Sequence, residues 1–302
     1  MLTIPPFMIR PLLFCFLALS LLVRPARGID QELRRSLEHV YSEWRSAIAS
    51  HDYATWQHAT ASFRQVMTRN MIVSQMQPFP GALFDIPLHP PDTGLLHLVK
   101  TETNGPTAYL IYFGKVDLGI SDPSEVPENL MVLSYIKEGA AWKFDTTRLV
   151  NLANAPDVRT QLKNTGTSPF LNEPDLSPSG VLPAIPALCR APDHIALLQI
   201  VSVGYETTAK VNQFDLPTVT DNGEQHLIIG GLNDGDNPLK LSIKTLELPK
   251  DVKHQLSVKA LILTGYESRP SIKVFEWEPS GYSVPAEVDL QIPVNRLTMK
   301  GI

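Results

Sequence analysis

His97 is the histidine whose setting suggests chemistry. In an extended reading Leu95, His97 and Val99 share one strand face. An imidazole on a face that lines an interior can act as acid or base near neutral pH; a hydrogen-bonded structural histidine is the competing reading. His51 and His58 stand seven apart across an expected helix break, a spacing that suits no shared metal. The run Asn233-Asp234-Gly235-Asp236-Asn237 is rich in oxygen ligands but lacks the spacing and closing bidentate Glu of a calcium loop, so it reads as a β-turn. No Gly-x-Ser-x-Gly, His-Glu-x-x-His, Cys-x-x-Cys, phosphate-loop or dinucleotide glycine pattern occurs. The enzyme classes easiest to recognise are thereby excluded, and no cofactor or metal is implied.

Aromatic residues offer a second kind of site. Alternation can place Trp142 and Phe144 on one strand face, and with Trp44 and Tyr112 they form a candidate binding set that could line an apolar pocket. Ordinary core packing accounts for the same four residues. Trp277 and Tyr282 are further aromatics that could stack on a sugar ring.

The elements that must position these groups are legible from period and punctuation. Leu33, Leu37, Val40, Tyr41, Trp44 and Ile48 fall at steps of three and four, which predicts an amphipathic helix over 30–50 with Asp30 as N-cap. Tyr53 to His58 reads as a short second helix, and Phe63, Val66, Met67 and Met71 as a third that ends before Pro78. Four strands follow, over 95–103, 107–116, 130–137 and 141–150, separated by Asn104-Gly105-Pro106, Asp122-Pro123-Ser124 and Glu138-Gly139 turns. From 154 to 193 the periodicity fades among seven prolines, which predicts a mostly extended linker with at most a helical turn over 158–162. After it, seven candidate strands between 196 and 292 predict an antiparallel β-sandwich.

Two stretches carry family resemblances. Ala47-Ile48-Ala49-Ser50-His51-Asp52-Tyr53 and Trp142-Lys143-Phe144-Asp145 resemble the first helical corner and the last strand of the SnoaL-like or ketosteroid-isomerase-like superfamily, over about residues 30 to 152. The resemblance implies three helices packed on a curved antiparallel sheet, an α+β cone with an apolar pocket. Steroid isomerases of that superfamily place a hydrogen-bonding tyrosine about eight residues before the helix-ending Asp. Here that position is Trp44, with Tyr41 one turn earlier as a partial substitute, which weighs against isomerase chemistry. Ala209 to Phe214 and Gly231 to Leu241 resemble galactose-binding-like jelly-roll domains, although Gln213 stands where that family has glycine. In this reading Gly235 permits a left-handed turn and Asn237 closes it on the backbone.

Arg10, the apolar run Leu12 to Val23 and the small residues around 26–28 predict an export signal over 1–28, with a short uncleaved anchor as the competing reading. Cys15 follows Phe14, so it reads as filler of the apolar run. Removal of that segment leaves 23 basic against 31 acidic residues, a balance that disfavours nucleic acid and anionic lipid as partners. It also leaves Cys189 alone, which excludes an internal disulfide, and the chain contains no Asn-x-Ser/Thr sequon, which favours a bacterial source. The expected layout is therefore signal (1–28), cone (29–153), linker (154–193) and all-β sandwich (194–302), with no membrane span in the mature chain. The expected function is an exported, periplasmic or secreted, non-catalytic binding protein for a protein, glycan or small apolar ligand. Two alternatives stand beside it. One is an acid-base enzyme using the cone, with His97 as general base, Tyr41 or Trp44 orienting it and Asp145 as a further titratable candidate. The other is a carbohydrate-binding module in the sandwich.

Overall fold

The structure is a computed structural model that describes residues 26–85, 90–116, 126–249, 253–280 and 284–295, with side chains described from residue 31. The export segment, Cys15 and Tyr282 lie outside the described residues. Three helices come first, α1 (Ala26–Ser50), α2 (Tyr53–Ala59) and α3 (Ser62–Ser74). α1 begins ahead of Asp30, the expected cap. Asp52 caps α2, its carboxylate accepting from the Thr55 amide and hydroxyl at 3.1 and 2.7 Å.

Next come β1 (His97–Asn104), β2 (Thr107–Lys115), β3 (Glu128–Glu138) and β4 (Ala141–Val150), which pair in chain order as one antiparallel sheet. The turn chemistry read from the sequence sits where it acts, Gly105 and Gly139 taking left-handed φ values of +54° and +61°. Ala108 to Phe113 and Leu130 to Leu133 are continuous apolar runs, which suits strands buried on both faces rather than one. The first face packs Leu110, Tyr112, Met131, Leu133, Tyr135 and Phe144 against Leu37, Val40 and Tyr41 of α1. The second face packs Ile111, Phe113, Leu130 and Val132 against Leu162, Leu171 and Leu176, all from the segment expected to be linker.

That segment is folded. It forms α4 (Pro156–Thr165), followed by 3-10 turns at Pro169–Asn172 and Pro174–Leu176. Pro156 occupies the first turn of α4, where its missing N–H costs nothing, and Gly166 ends the helix at φ +69°. Three of the seven prolines that suggested an extended linker, Pro156, Pro169 and Pro174, are starts of helical turns.

Nine strands complete the described chain: β5 (Ala196–Val203), β6 (Tyr205–Val211), β7 (Phe214–Asp215), β8 (Val219–Thr220), β9 (Gly223–Leu227), β10 (Gly235–Thr245), β11 (Gln255–Leu263), β12 (Ser271–Trp277) and β13 (Glu287–Val294). They form two antiparallel sheets, ordered β13-β10-β6-β7 with β8 also on β6, and β12-β11-β5-β9. Burial alternates along β5 and β10, and Leu198, Ile200, Val211, Leu239, Leu241 and Val258 meet in one apolar core.

The expected architecture, a three-helix α+β cone followed by an all-β sandwich, is thus corrected. The described residues hold four α-helices and thirteen strands in three antiparallel sheets, a mostly β chain. The first sheet is packed on both faces, against α1 on one and against α4 and the 3-10 turns on the other. Among the described residues no helix is long and apolar enough to cross a membrane.

Candidate functional site

The three titratable candidates are not brought together. His97 is exposed at the start of β1, opposite Phe113, and Leu95 lies outside the strand in an exposed 3-10 turn, so the face expected for His97 does not form. Tyr41 is buried and its hydroxyl donates to the Pro91 carbonyl at 2.9 Å. Burial pushes this phenol well above the usual tyrosine range, with Arg45 opposing and Asp92 reinforcing. In the β3–β4 ladder Tyr135 faces Phe144 and Ser134 faces Thr146, which leaves Asp145 as the extra residue of a bulge. Its carboxylate accepts from Arg64 of α3 at 2.9 Å, so it ties helix to sheet.

The aromatic set also packs as core. Tyr112 and Phe144 are each 2 % exposed, and Trp44 and Trp142 lie partly buried against the same cluster. Trp44 and Phe144 have ring centroids 4.4 Å apart, and Tyr135 meets Phe144 edge-on at 5.8 Å. Burial raises the Tyr112 phenol first, and its 2.8 Å hydrogen bond to Glu38 raises it further. Tyr135 is raised by burial, then by Tyr112, Tyr41 and Glu38; its hydroxyl has no hydrogen-bond partner among the described residues. Trp277 is half-buried against the second core. Asn237 does close the 233–237 turn, its Oδ1 accepting from the Asn233 amide at 2.9 Å and its Nδ2 donating to the Asn233 carbonyl at 2.9 Å. Gly235 takes φ +98° there. Among the described residues no group of three or more His, Cys, Asp or Glu is placed to hold a metal.

What the sequence reading missed is the path of 169–190. Lys100 of β1 holds its first part, with Nζ donating to the Leu171 carbonyl at 2.6 Å, the Leu176 carbonyl at 3.1 Å and Ser177 Oγ at 3.3 Å. At the middle, Asn104 donates to the Pro178 carbonyl at 3.2 Å and the Gly180 amide donates to Thr107 Oγ1 at 2.8 Å. At the far end Asn70 of α3 donates to the Ala187 carbonyl at 2.8 Å and accepts from the Cys189 amide at 3.0 Å, while Arg69 donates to the Cys189 carbonyl at 3.0 Å. Ser74 accepts from the Gly230 amide at 2.7 Å, joining the same corner to the second core. Cys189 is free and buried in this corner.

Between the pins at Gly180 and Cys189 the chain is a ribbon that belongs to no helix or strand. Val181, Leu182, Ile185 and Leu188 are 69, 51, 59 and 57 % exposed on it. Pro183 and Pro186 stiffen it and remove two backbone donors. The proline-rich composition was visible in the sequence; that the ribbon is fixed at both ends and exposed between them was not. Beneath its first residues lies a cavity of about 290 Å³, walled by Val181 and Pro183 above and by Tyr109, Ser134 and Thr146 of the sheet below. No family model matches the chain, and no curated protein or solved structure was found to be similar to it.

Proposed function

We propose that this chain is an exported, non-catalytic binding protein whose contact surface is the apolar ribbon over 181–188. One observation carries the reading: four large apolar side chains stand exposed within eight residues of a backbone pinned at both ends. Such a concentration of exposed apolar surface is the mark of an interaction site. A ribbon already held at both ends loses less conformational entropy on docking than a free one. With Pro183 and Pro186 lacking N–H groups, strand addition is disfavoured; a partner protein that grips an extended proline-rich segment in a groove lined by aromatic side chains suits it better. Export rests on the apolar run Leu12 to Val23 in the sequence. The placement of His97, Tyr41 and Asp145 in three separate settings weighs against acid-base chemistry.

The test is a photoreactive benzoyl-phenylalanine placed at Leu182 or Ile185 of the full chain, with a control at Lys240, in cells that export it. A discrete protein adduct at 182 and 185, absent at 240 and competed by a peptide of residues 179–190, is expected. Adducts that are the same at all three positions, or none at all, would remove the reading.

A further inference from the structure

We infer that the cavity beneath the ribbon is a binding site for a small polyhydroxylated carboxylate, a sugar acid of one ring in size. The β2–β3 and β3–β4 registers place Tyr109, Ser134 and Thr146 in one row across three strands. All three line the cavity. None of their hydroxyls has a hydrogen-bond partner among the described residues, so a row of three free donors and acceptors lines a half-open cavity.

Two residues further along β4, on the same side of the strand, Arg148 lines the same cavity. One of its guanidinium nitrogens donates to the Asp175 carbonyl, and it forms no ion pair among the described residues. The carboxylate in the lining, Asp145, is neutralised by Arg64 at 2.9 Å. Arg148 is exposed, so it places a positive charge without an ion-pair partner among the described residues at the rim of the cavity, in a chain whose net charge is −5. A guanidinium with free N–H groups pairs best with a carboxylate, which it can grip through two parallel bonds.

Phe63 from α3, Pro183 from the ribbon and Tyr109 of β2 add ring surfaces to the lining, beside the polar Thr107 and Ser179. Such surfaces suit the apolar faces of a saturated ring whose rim carries hydroxyls. At about 290 Å³ the space is at the lower limit of small-molecule sites and admits one ring. Val181 borders both this cavity and the exposed face of the ribbon, but the row of hydroxyls and Arg148 belong to the sheet, so the inference does not depend on what partner the ribbon takes.

Calorimetric titration of the full chain with D-glucuronate, D-glucose and propionate separates the contributions. Glucuronate is expected to bind at least about tenfold more tightly than either of the others, because it alone carries both the hydroxyls and the charge. Arg148→Gln should reduce glucuronate to the affinity of glucose. Because Arg148 also touches the 3-10 turn, Ser134→Leu serves as the second variant: it fills the cavity from β3, leaves Arg148 in place, and should abolish binding of all three probes. Circular dichroism and thermal midpoint check that both variants fold. Equal affinity for glucuronate and glucose, no heat from glucuronate at millimolar concentration, or full glucuronate affinity in either folded variant would overturn the inference.

Discussion

The side-chain amide of Asn70 brackets Leu188. Its Nδ2 donates to the Ala187 carbonyl at 2.8 Å and its Oδ1 accepts from the Cys189 amide at 3.0 Å, so a helix side chain imitates one rung of a β-ladder for a ribbon that belongs to no sheet. Asn70 is 1 % exposed, and its removal strands a buried amide. Asn70→Ala should cost about 2–3 kcal/mol in urea unfolding and should speed modification of the Cys189 thiol by a disulfide reagent. An unchanged midpoint with an unchanged thiol rate would show that the bracket holds nothing.

Lys100 is the corresponding pin at the other end. Lys100→Met keeps the aliphatic stem but removes bonds to the Leu171 and Leu176 carbonyls and to Ser177, together with the 2.8 Å ion pair to Glu102. A loss of about 2–3 kcal/mol is expected. Amide exchange should quicken over 171–180 and stay as it was in β5 to β13; uniform quickening across the chain would argue against a local pin.

The buried tyrosines predict how the fold responds to alkali. Tyr41, Tyr112 and Tyr135 are all raised, first by burial and, for Tyr112, next by Glu38. A raised folded value means the folded chain keeps a proton that the unfolded chain releases near pH 10. Their contribution is therefore complete below about pH 10 and is lost as pH rises above it, at about 1.4 kcal/mol per pH unit for each phenol. Tyrosinate absorbance at high pH should appear together with unfolding for these three. Tyr112→Phe should destabilise by about 1 kcal/mol, whereas Tyr135→Phe, which deletes an unpaired buried hydroxyl, should be neutral or stabilising.

Two glycines with positive φ should respond differently to the same change. At Gly231, with φ +54°, an added Cβ would lie 2.4 Å from the His194 carbonyl oxygen and 2.5 Å from Pro192 Cβ. Gly231→Ala should cost about 3 kcal/mol or more, from backbone strain and overpacking together. At Gly235, with φ +98°, nothing lies within 4 Å of the added atom, so Gly235→Ala should cost only about 1–2 kcal/mol of backbone strain. Thermal midpoints of the two variants decide it, and equal losses would contradict the clash.

The sequence by itself determined the elements. The apolar spacing from Leu33 to Ile48 is enough for α1, and Gly105 and Gly139 are enough for the turns that flank β2 and β4, because helix period and turn chemistry act over a few residues. It also held a sign that went unread: Ala108 to Phe113 does not alternate, so its strand needed cover on both faces. Pro156 and Gly166, read together, mark a helix rather than a linker. Only the tertiary structure decided which segment supplies the second cover, that His97 falls outside it, that the β3–β4 register extrudes Asp145 into an ion pair, and that the ribbon stands exposed between its pins. Those outcomes depend on contacts between residues that are tens of positions apart, such as Asn70 with Cys189 or Lys100 with Leu171, and no local propensity encodes where such partners meet.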